Sequence, residues 1–497
     1  MASMRISDIL TTTGLLTAEG VRAAARHQVE QGGSFCDSLV ALGIVSQSDL
    51  ARILEYAPAS PAVIEDTGLN ERYLLDLLVK VMHATGCEAV SEIAARIKLP
   101  FQIVSQLAKE AARRDLASAA APRDGKALWD TRYVLSDAGR RWAVDALAQS
   151  QYIGPAPVSF TAFQESILRQ RAANQAVDWQ SIQKAFAGLT VSEEFLEQLG
   201  PAISSGRTML LYGPPGNGKT SLALRLERVF DDLIYIPHAV FVDGCVMRVF
   251  DPSLHRPIIE STPSADTVVS IRRGEVDDRW VPCRRPFIVA GGELTMEMLD
   301  LRYDQASKFY EAPLHIKANG GCLLIDDFGR QIVSPTALLN RWIIPLENKI
   351  DFLKFHTGKS VEVPFEQLVI FSTNLDPSDL MDGAFLRRIP YKIEVKGPTR
   401  EEFHSILEGL ATRHGLALTN GTFEFLVNEI VEHRGHELAN YQPKFIIEQL
   451  IAASRFFGRE LSFDSRLVRL AINNLCVRDR GGRQKAEDQL PPIAEAA

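Results

Sequence analysis

Residues 210–221, Leu-Leu-Tyr-Gly-Pro-Pro-Gly-Asn-Gly-Lys-Thr-Ser, constrain this chain more tightly than any other stretch. The apolar run ending at Tyr212 reads as a buried strand, and Leu222, Leu224 and Leu226 follow at the spacing of a helix. Between them Gly213, Gly218, Lys219 and Thr220 fit the spacing G-x-x-x-x-G-K-[ST]. Glycines let a turn close its N–H groups around phosphate oxygens, and the helix start adds the positive end of its dipole. The spacing marks a nucleoside triphosphate site built from Gly213, Pro214, Pro215, Gly216, Asn217, Gly218, Lys219, Thr220 and Ser221. Lys219 is expected to meet the β- and γ-phosphates, and the Thr220 hydroxyl to hold one position around Mg²⁺.

A chain of 497 residues is too long for one core, so several domains are expected. With 46% hydrophobic and 23% charged residues it has the composition of a globular protein. A net charge of −8 argues against a protein that coats nucleic acid along its whole surface. The six cysteines are scattered, with no C-x-x-C pair, which points to a reducing, cytoplasmic setting and to no zinc site. No apolar run approaches the ~18 residues of a membrane span, so no membrane insertion is expected, and any envelope association would be peripheral, through a partner.

Cys322-Leu323-Leu324-Ile325-Asp326-Asp327 reads as a buried strand ending in two carboxylates. Such a strand delivers Asp326 beside Thr220 to complete the Mg²⁺ shell, and Asp327 to orient or deprotonate the attacking water. The next apolar strand ends at Asn374, an amide able to position that water. Beyond it come Arg387 and Arg388, whose spacing alone fits either a solvated basic pair or guanidinium groups offered to a neighbour's phosphate.

In this order, residues 213–220, Asp326 and Asp327, Asn374, and Arg387 and Arg388 resemble the AAA+ ATPases. The resemblance covers roughly 200–395 and implies an ATP hydrolase working with ATP and Mg²⁺, assembled as a homo-oligomeric ring, a hexamer. It assigns Asp327, Asn374, Arg387 and Arg388 to catalysis and Lys444, in a lid position where the family usually carries arginine, to nucleotide binding. Asp327 stands where the family has Glu. Residues 351–363, two strand-like runs around His356-Thr357-Gly358-Lys359, resemble the hairpin shared by MoxR-like, magnesium-chelatase-like and sigma-54 activator ATPases. The long stretch between Lys219 and Asp326, with strand-like pieces at 246–250 and 286–290, predicts an insertion in the core.

Upstream, the pattern around 5–17 recurs around 34–46, each copy a short helix, a glycine and an apolar pair. This repeat resembles the N-terminal domain of type II secretion and type IV pilus assembly ATPases. Arg5 and Gln28 match its cyclic di-GMP-binding members, while Ser7, Ser34 and Cys36 differ, which favours protein docking. Residues 56–61 and 152–157 read as linkers. Between them, three helices, strands at 127–129 and 132–135, and a helix capped by Ser136 resemble a winged helix-turn-helix. Its 71–150 span holds 12 Lys/Arg against 10 Asp/Glu, a weak footprint for a duplex binder, so protein docking is favoured over nucleic acid.

The expectation is a multidomain chain. It comprises a small helical N-terminal domain (1–58), separable from catalysis, a winged helix (68–150), an α/β P-loop AAA+ core (160–396), a helical lid (397–480) and a disordered tail (481–497). The client expected is a protein complex, with a pilus or secretion component as the leading candidate. A DNA-bound regulator and a nucleotide-gated scaffold with little hydrolysis are the alternatives.

Overall fold

The computed structural model describes residues 7, 10–11, 15–31, 35–47, 50, 55–120, 130–172, 177–230, 232–258 and 276–475. Arg5, Ser34, the expected strand at 127–129 and the tail at 481–497 lie outside them.

Helices α1 (Ala18–Gln31) and α2 (Phe35–Ala41) form the N-terminal layer. They are followed by α3 (Glu71–Thr85), α4 (Val90–Ile97) and α5 (Phe101–Arg113). Strand β1 (Ala117–Ala120) leaves α5 directly and pairs antiparallel with β2 (Arg132–Leu135), ahead of α6 (Asp137–Gln149). Three helices, a strand pair and a further helix follow one another, but the strand that pairs with β2 is Ala117–Ala120, where the sequence pointed to 127–129; Ser136 caps α6 through the Gly139 N–H. Arg113 and Arg114 on α5 are tied to Glu110, and Arg114 reaches Glu71 as well, so these two cations are neutralised locally.

Strand β3 (Val158–Ser159) leads through α7 (Phe160–Arg169), α8 (Trp179–Phe186) and α9 (Glu193–Ser204) to β4 (Met209–Tyr212) and α10 (Lys219–Arg225). Next come β5 (Leu233–Pro237), β6 (Ala239–Val242), β7 (Cys245–Arg248), β8 (Trp280–Arg284) and β9 (Phe287–Ala290). Strands β10 (Arg302–Asp304) and β11 (Phe309–Glu311) precede α11 (Leu314–Lys317) and β12 (Cys322–Ile325). After α12 (Pro335–Arg341) and α13 (Ile343–Asn348) the chain makes the hairpin β13 (Ile350–Lys354) and β14 (Ser360–Pro364), at the place the sequence predicts. Strand β15 (Leu368–Thr373), α14 (Pro377–Leu380), α15 (Gly383–Arg388) and β16 (Tyr391–Glu394) close the core.

The core is a five-stranded sheet of order β16-β4-β15-β12-β9, parallel throughout. Its central strands are buried along their length, as strands covered by helices on both faces must be. One expectation is corrected here. The strand-like piece at 286–290 belongs to the core as its edge strand β9, because Phe287–Ala290 pairs in register with Cys322–Ile325. The insertion is the remainder: the β5–β8 ribbon and four strands of a second, mixed sheet of order β10-β11-β7-β6-β3, to which β3 adds from upstream of the core.

That mixed sheet is where the upstream segments attach. Leu16, just ahead of α1, and Phe35 and Leu39 of α2 share one apolar cluster with Tyr235, Val240 and Met247 of the insertion. Leu74 and Leu107 of the three-helix unit share another with Ala239 and Val246, and Tyr73 packs on Phe241 with ring centroids 4.4 Å apart. The two expected linkers are packed rather than loose. Tyr56, Tyr152 and Ala156 are buried, and Pro58 O accepts from Asp277 N at 2.9 Å. Arg279, 4% exposed, is gripped by Asp277 and donates to Pro157 O of the second linker and to Thr67 O, beyond the first, fastening both segments to the insertion. Removing one partner of such a buried pair costs about 3–5 kcal/mol, because the other charge is left uncompensated. The apolar face of the described N-terminal residues is completed by the insertion.

The insertion is bolted to the core in turn. Arg285 forks onto Asp232 at 2.6 and 2.7 Å and donates to Gln170 O at 2.5 Å. Lys317 bridges Asp251 and Glu311 at 2.8 and 3.1 Å. After the core, α16 (Arg400–Arg413), α17 (Asn420–Asn428), α18 (Tyr441–Phe457) and α19 (Ser465–Leu475) form a helical lid with its own apolar cluster. Thr399 and Glu402 make a capping box at its start.

Candidate nucleotide site

Because the core strands are all parallel, the ends of β4, β12 and β15 emerge on one edge, and the chain reverses there at Gly213, Asp326 and Asn374. The loop after β4 needs its glycines for specific reasons. Gly213, Gly216 and Gly218 have φ of +136°, +82° and +83°, a region side chains rarely adopt. A Cβ on Gly213 would lie 2.5 Å from Val395 O, and one on Gly216 would lie 2.4 Å from the Tyr441 ring. The loop is held in a shape that only these residues permit.

Within it Lys219 is 8% exposed, and its Nζ donates to Gly213 O and Pro214 O, both at 2.9 Å. Burial pulls its ammonium below the usual lysine range, while Asp327 and Asp326 pull it back. Thr220 Oγ1 donates to the Asp326 carboxylate, 2.8 and 3.0 Å from its two oxygens. A hydroxyl and a carboxylate in contact, one from each strand end, make an all-oxygen donor pair suited to a hard cation such as Mg²⁺.

The turn bearing Asp326 is braced. Gln331 donates to Asp326 O at 2.7 Å and accepts from Gly329 N. Asp327 is exposed with φ of +50°, a strained turn position, and Phe328 behind it is buried against Phe371. Asn374 follows Thr373, whose register partner is Tyr212, so it sits across from the start of the loop.

Arg387 and Arg388 are not brought to this edge. They end α15, immediately before β16, whose Tyr391 pairs with Met209 at the start of β4. At about 3.3 Å per residue, β4 separates them from its own loop by roughly 13 Å. They line a cavity of ≈ 500 Å³ with Arg207, Glu347 and Lys349. Arg388 is paired with Glu347 at 2.6 Å and lies over the Phe385 ring, whereas Arg387 is exposed.

Lys444 is 71% exposed by its side chain and pairs with Glu448 at 3.7 Å. Tyr441 and Asn440, one turn earlier, are what touch the loop. Tyr441 N donates to Gly216 O at 3.1 Å, Asn440 N to Asn217 Oδ1 at 3.2 Å, and Asn440 Nδ2 to Asn217 O at 3.2 Å. Sequence reasoning missed both. The signal available was Tyr441-Gln442-Pro443, in which a proline early in a helix marks its first turn.

A family model described as a domain of unknown function, DUF8689, matches residues 399–474, the helical lid. No curated protein matches. Among solved structures, the Thermotoga maritima RuvB Holliday junction branch migration motor is 16% identical over 64% of this chain and 76% of that one, with a TM-score of 0.30. Domain III of the Thermotoga maritima replication initiation protein DnaA is 12% identical over 61% of this chain and 100% of that one, with a TM-score of 0.31. These superpositions are loose, and the chemistry rests on the site's own geometry.

Proposed function

We propose that this chain binds and hydrolyses ATP with Mg²⁺ as an AAA+ ATPase. The observation that carries the reading is the contact of Thr220 Oγ1 with both oxygens of Asp326, beside a loop only glycines can form. Residues 213–221 cradle the phosphates, Lys219 turns from its carbonyls to the β- and γ-phosphates, and Thr220 and Asp326 hold the cation. Bound Mg²⁺ supplies charge neutralisation across the phosphates. Asn374 orients the water, and Asp327 orients it and accepts its proton. Arg387 and Arg388, on the opposite edge, serve a neighbouring copy, which makes the working unit a ring, a hexamer in the simplest case.

The insertion, the helical unit at 71–150 and the N-terminal helices share apolar clusters and form one body in front of that ring. We assign this body to gripping a protein complex, with a pilus or secretion component as the client proposed, rather than to DNA. The pairing of Arg113 and Arg114 with Glu110 and Glu71 favours this choice. No helix among the described residues is long and apolar enough to cross a membrane. Envelope localisation would therefore come from the client. A full-length tagged protein that concentrates at the envelope supports the assignment. Uniform distribution together with salt-dependent duplex binding would replace it with the DNA reading.

A further inference from the structure

We infer that Asn440 and Tyr441 are positioning residues for the phosphate loop, and that Asn217 is the joint through which nucleotide occupancy and lid docking control each other. The inference rests on the nucleotide site proposed above and names how that site is regulated.

Three hydrogen bonds join the start of α18 to the loop, and all of them use acceptors on the loop side: Gly216 O, Asn217 O and Asn217 Oδ1. Among the described residues, the backbone N–H groups of Gly216, Gly218 and Thr220 have no acceptor. The lid thus holds the loop by its carbonyls and leaves free the donors that a phosphate needs. A clasp of this kind does not compete with the ligand; it fixes the loop in the shape that receives it.

The contact is built into the fold. Asn217 is 2% exposed, sealed beneath the lid. The Tyr441 ring covers Gly216, leaving no room for a Cβ there. Gly397, where the chain passes from core to lid, has no room for one either, 2.5 Å from Leu438 O. Asn440 Oδ1 is buried and meets no donor, so among the described residues the Asn440 side chain is held by Asn217 alone.

Coupling free energy is reciprocal. If docking of the lid shapes the loop for phosphate, phosphate must fasten the lid. Lys444, exposed and paired with Glu448, takes no part in this contact. The lid reads the nucleotide through the backbone of the loop.

The test uses the full chain and a slowly hydrolysed ATP analogue with Mg²⁺. Two variants are compared with the wild type, Asn440→Ala and Asn440→Asp. The aspartate keeps the side chain's size and favours a helix start, but offers an acceptor where Asn217 O needs a donor. Affinity is measured by titration, and hydrogen exchange is followed in residues 441–457 with and without nucleotide. In the wild type the nucleotide should slow exchange at the start of α18. Both variants should bind about 10-fold more weakly, the scale of the one side-chain hydrogen bond they remove, and lose the nucleotide-dependent slowing while their thermal midpoints stay near wild type. Wild-type affinity with intact slowing in both variants overturns the clasp, as does weaker binding with the slowing intact. A wild type that binds no nucleotide overturns the site and the clasp together.

Discussion

The carboxyl edge of the parallel sheet and its amino edge differ in what their side chains are committed to. On the carboxyl edge Lys219, Thr220 and Asp326 are bonded to one another's segments across β4 and β12, and the lid presses on the same loop. On the amino edge Arg207, Lys349, Arg387 and Arg388 gather around an open cavity with one acid, Glu347, among them. One edge is the anion and cation site proposed above; the other is a concentration of cations with one acid among them. A phosphate needs both, and a single chain keeps them about one strand length apart. The difference teaches that the reaction proposed belongs to a contact between copies.

The comparison is broken most severely through Lys219. Lys219→Ala removes the cation from the assembled edge and should weaken Mg²⁺–ATP binding at least ~100-fold, the loss expected for two charge-assisted hydrogen bonds. Titration calorimetry reads this directly, and affinity within a few-fold of wild type would remove the loop from the account. The opposite edge should respond in turnover rather than in binding. Arg387→Ala should lower kcat by about 1,000-fold, the scale of a lost arginine finger, with affinity little changed. Arg388→Ala should cost less in kcat and more in thermal midpoint, because Arg388 is committed to Glu347 and the Phe385 ring. Equal losses in kcat for the two would show that the spare arginine is not Arg387. The smallest effect belongs to Lys444→Ala, where an exposed cation is worth under ~1 kcal/mol, or less than about five-fold in affinity.

Of the two five-stranded sheets, the sequence made the core one legible and the other mostly not. The core strands announce themselves because burial on both faces demands unbroken apolar runs, as at Leu323-Leu324-Ile325 and Val369-Ile370-Phe371, each ending in a polar residue with a job. The hairpin 350–364 was legible from its turn, His356-Thr357-Gly358-Lys359. Of the mixed sheet only the piece at 246–250, which is β7, was legible. Its strands are two to four residues long, and β3 pairs with β6 from across the chain. Strand β9 read as part of the insertion because nothing local distinguishes it; its partner β12 does. The same limit hid the docking of the N-terminal helices. Phe35 and Leu39 mark an apolar face, but a face does not say which surface will cover it. Within the proposed site, sequence marked the glycine-rich loop and the carboxylate pair, and the structure brings Thr220 against Asp326. Sequence placed the lid's contribution at Lys444, one turn beyond Tyr441, because motif position fixes a helix's start only to within a turn.

The division of the site between two edges is tested most directly by mixing two inactive proteins. Lys219→Ala has a damaged assembled edge and intact arginines; Arg387→Ala has the reverse. Each alone should show negligible ATP turnover. Mixed in equal amounts, at concentrations where the wild type is oligomeric, they should recover a substantial fraction of wild-type turnover. That recovery comes from contacts at which Arg387 of one copy meets the intact loop of the next. Turnover by Arg387→Ala alone at the wild-type rate, or a mixture as silent as its components while the wild type turns over at the same concentration, would contradict the account.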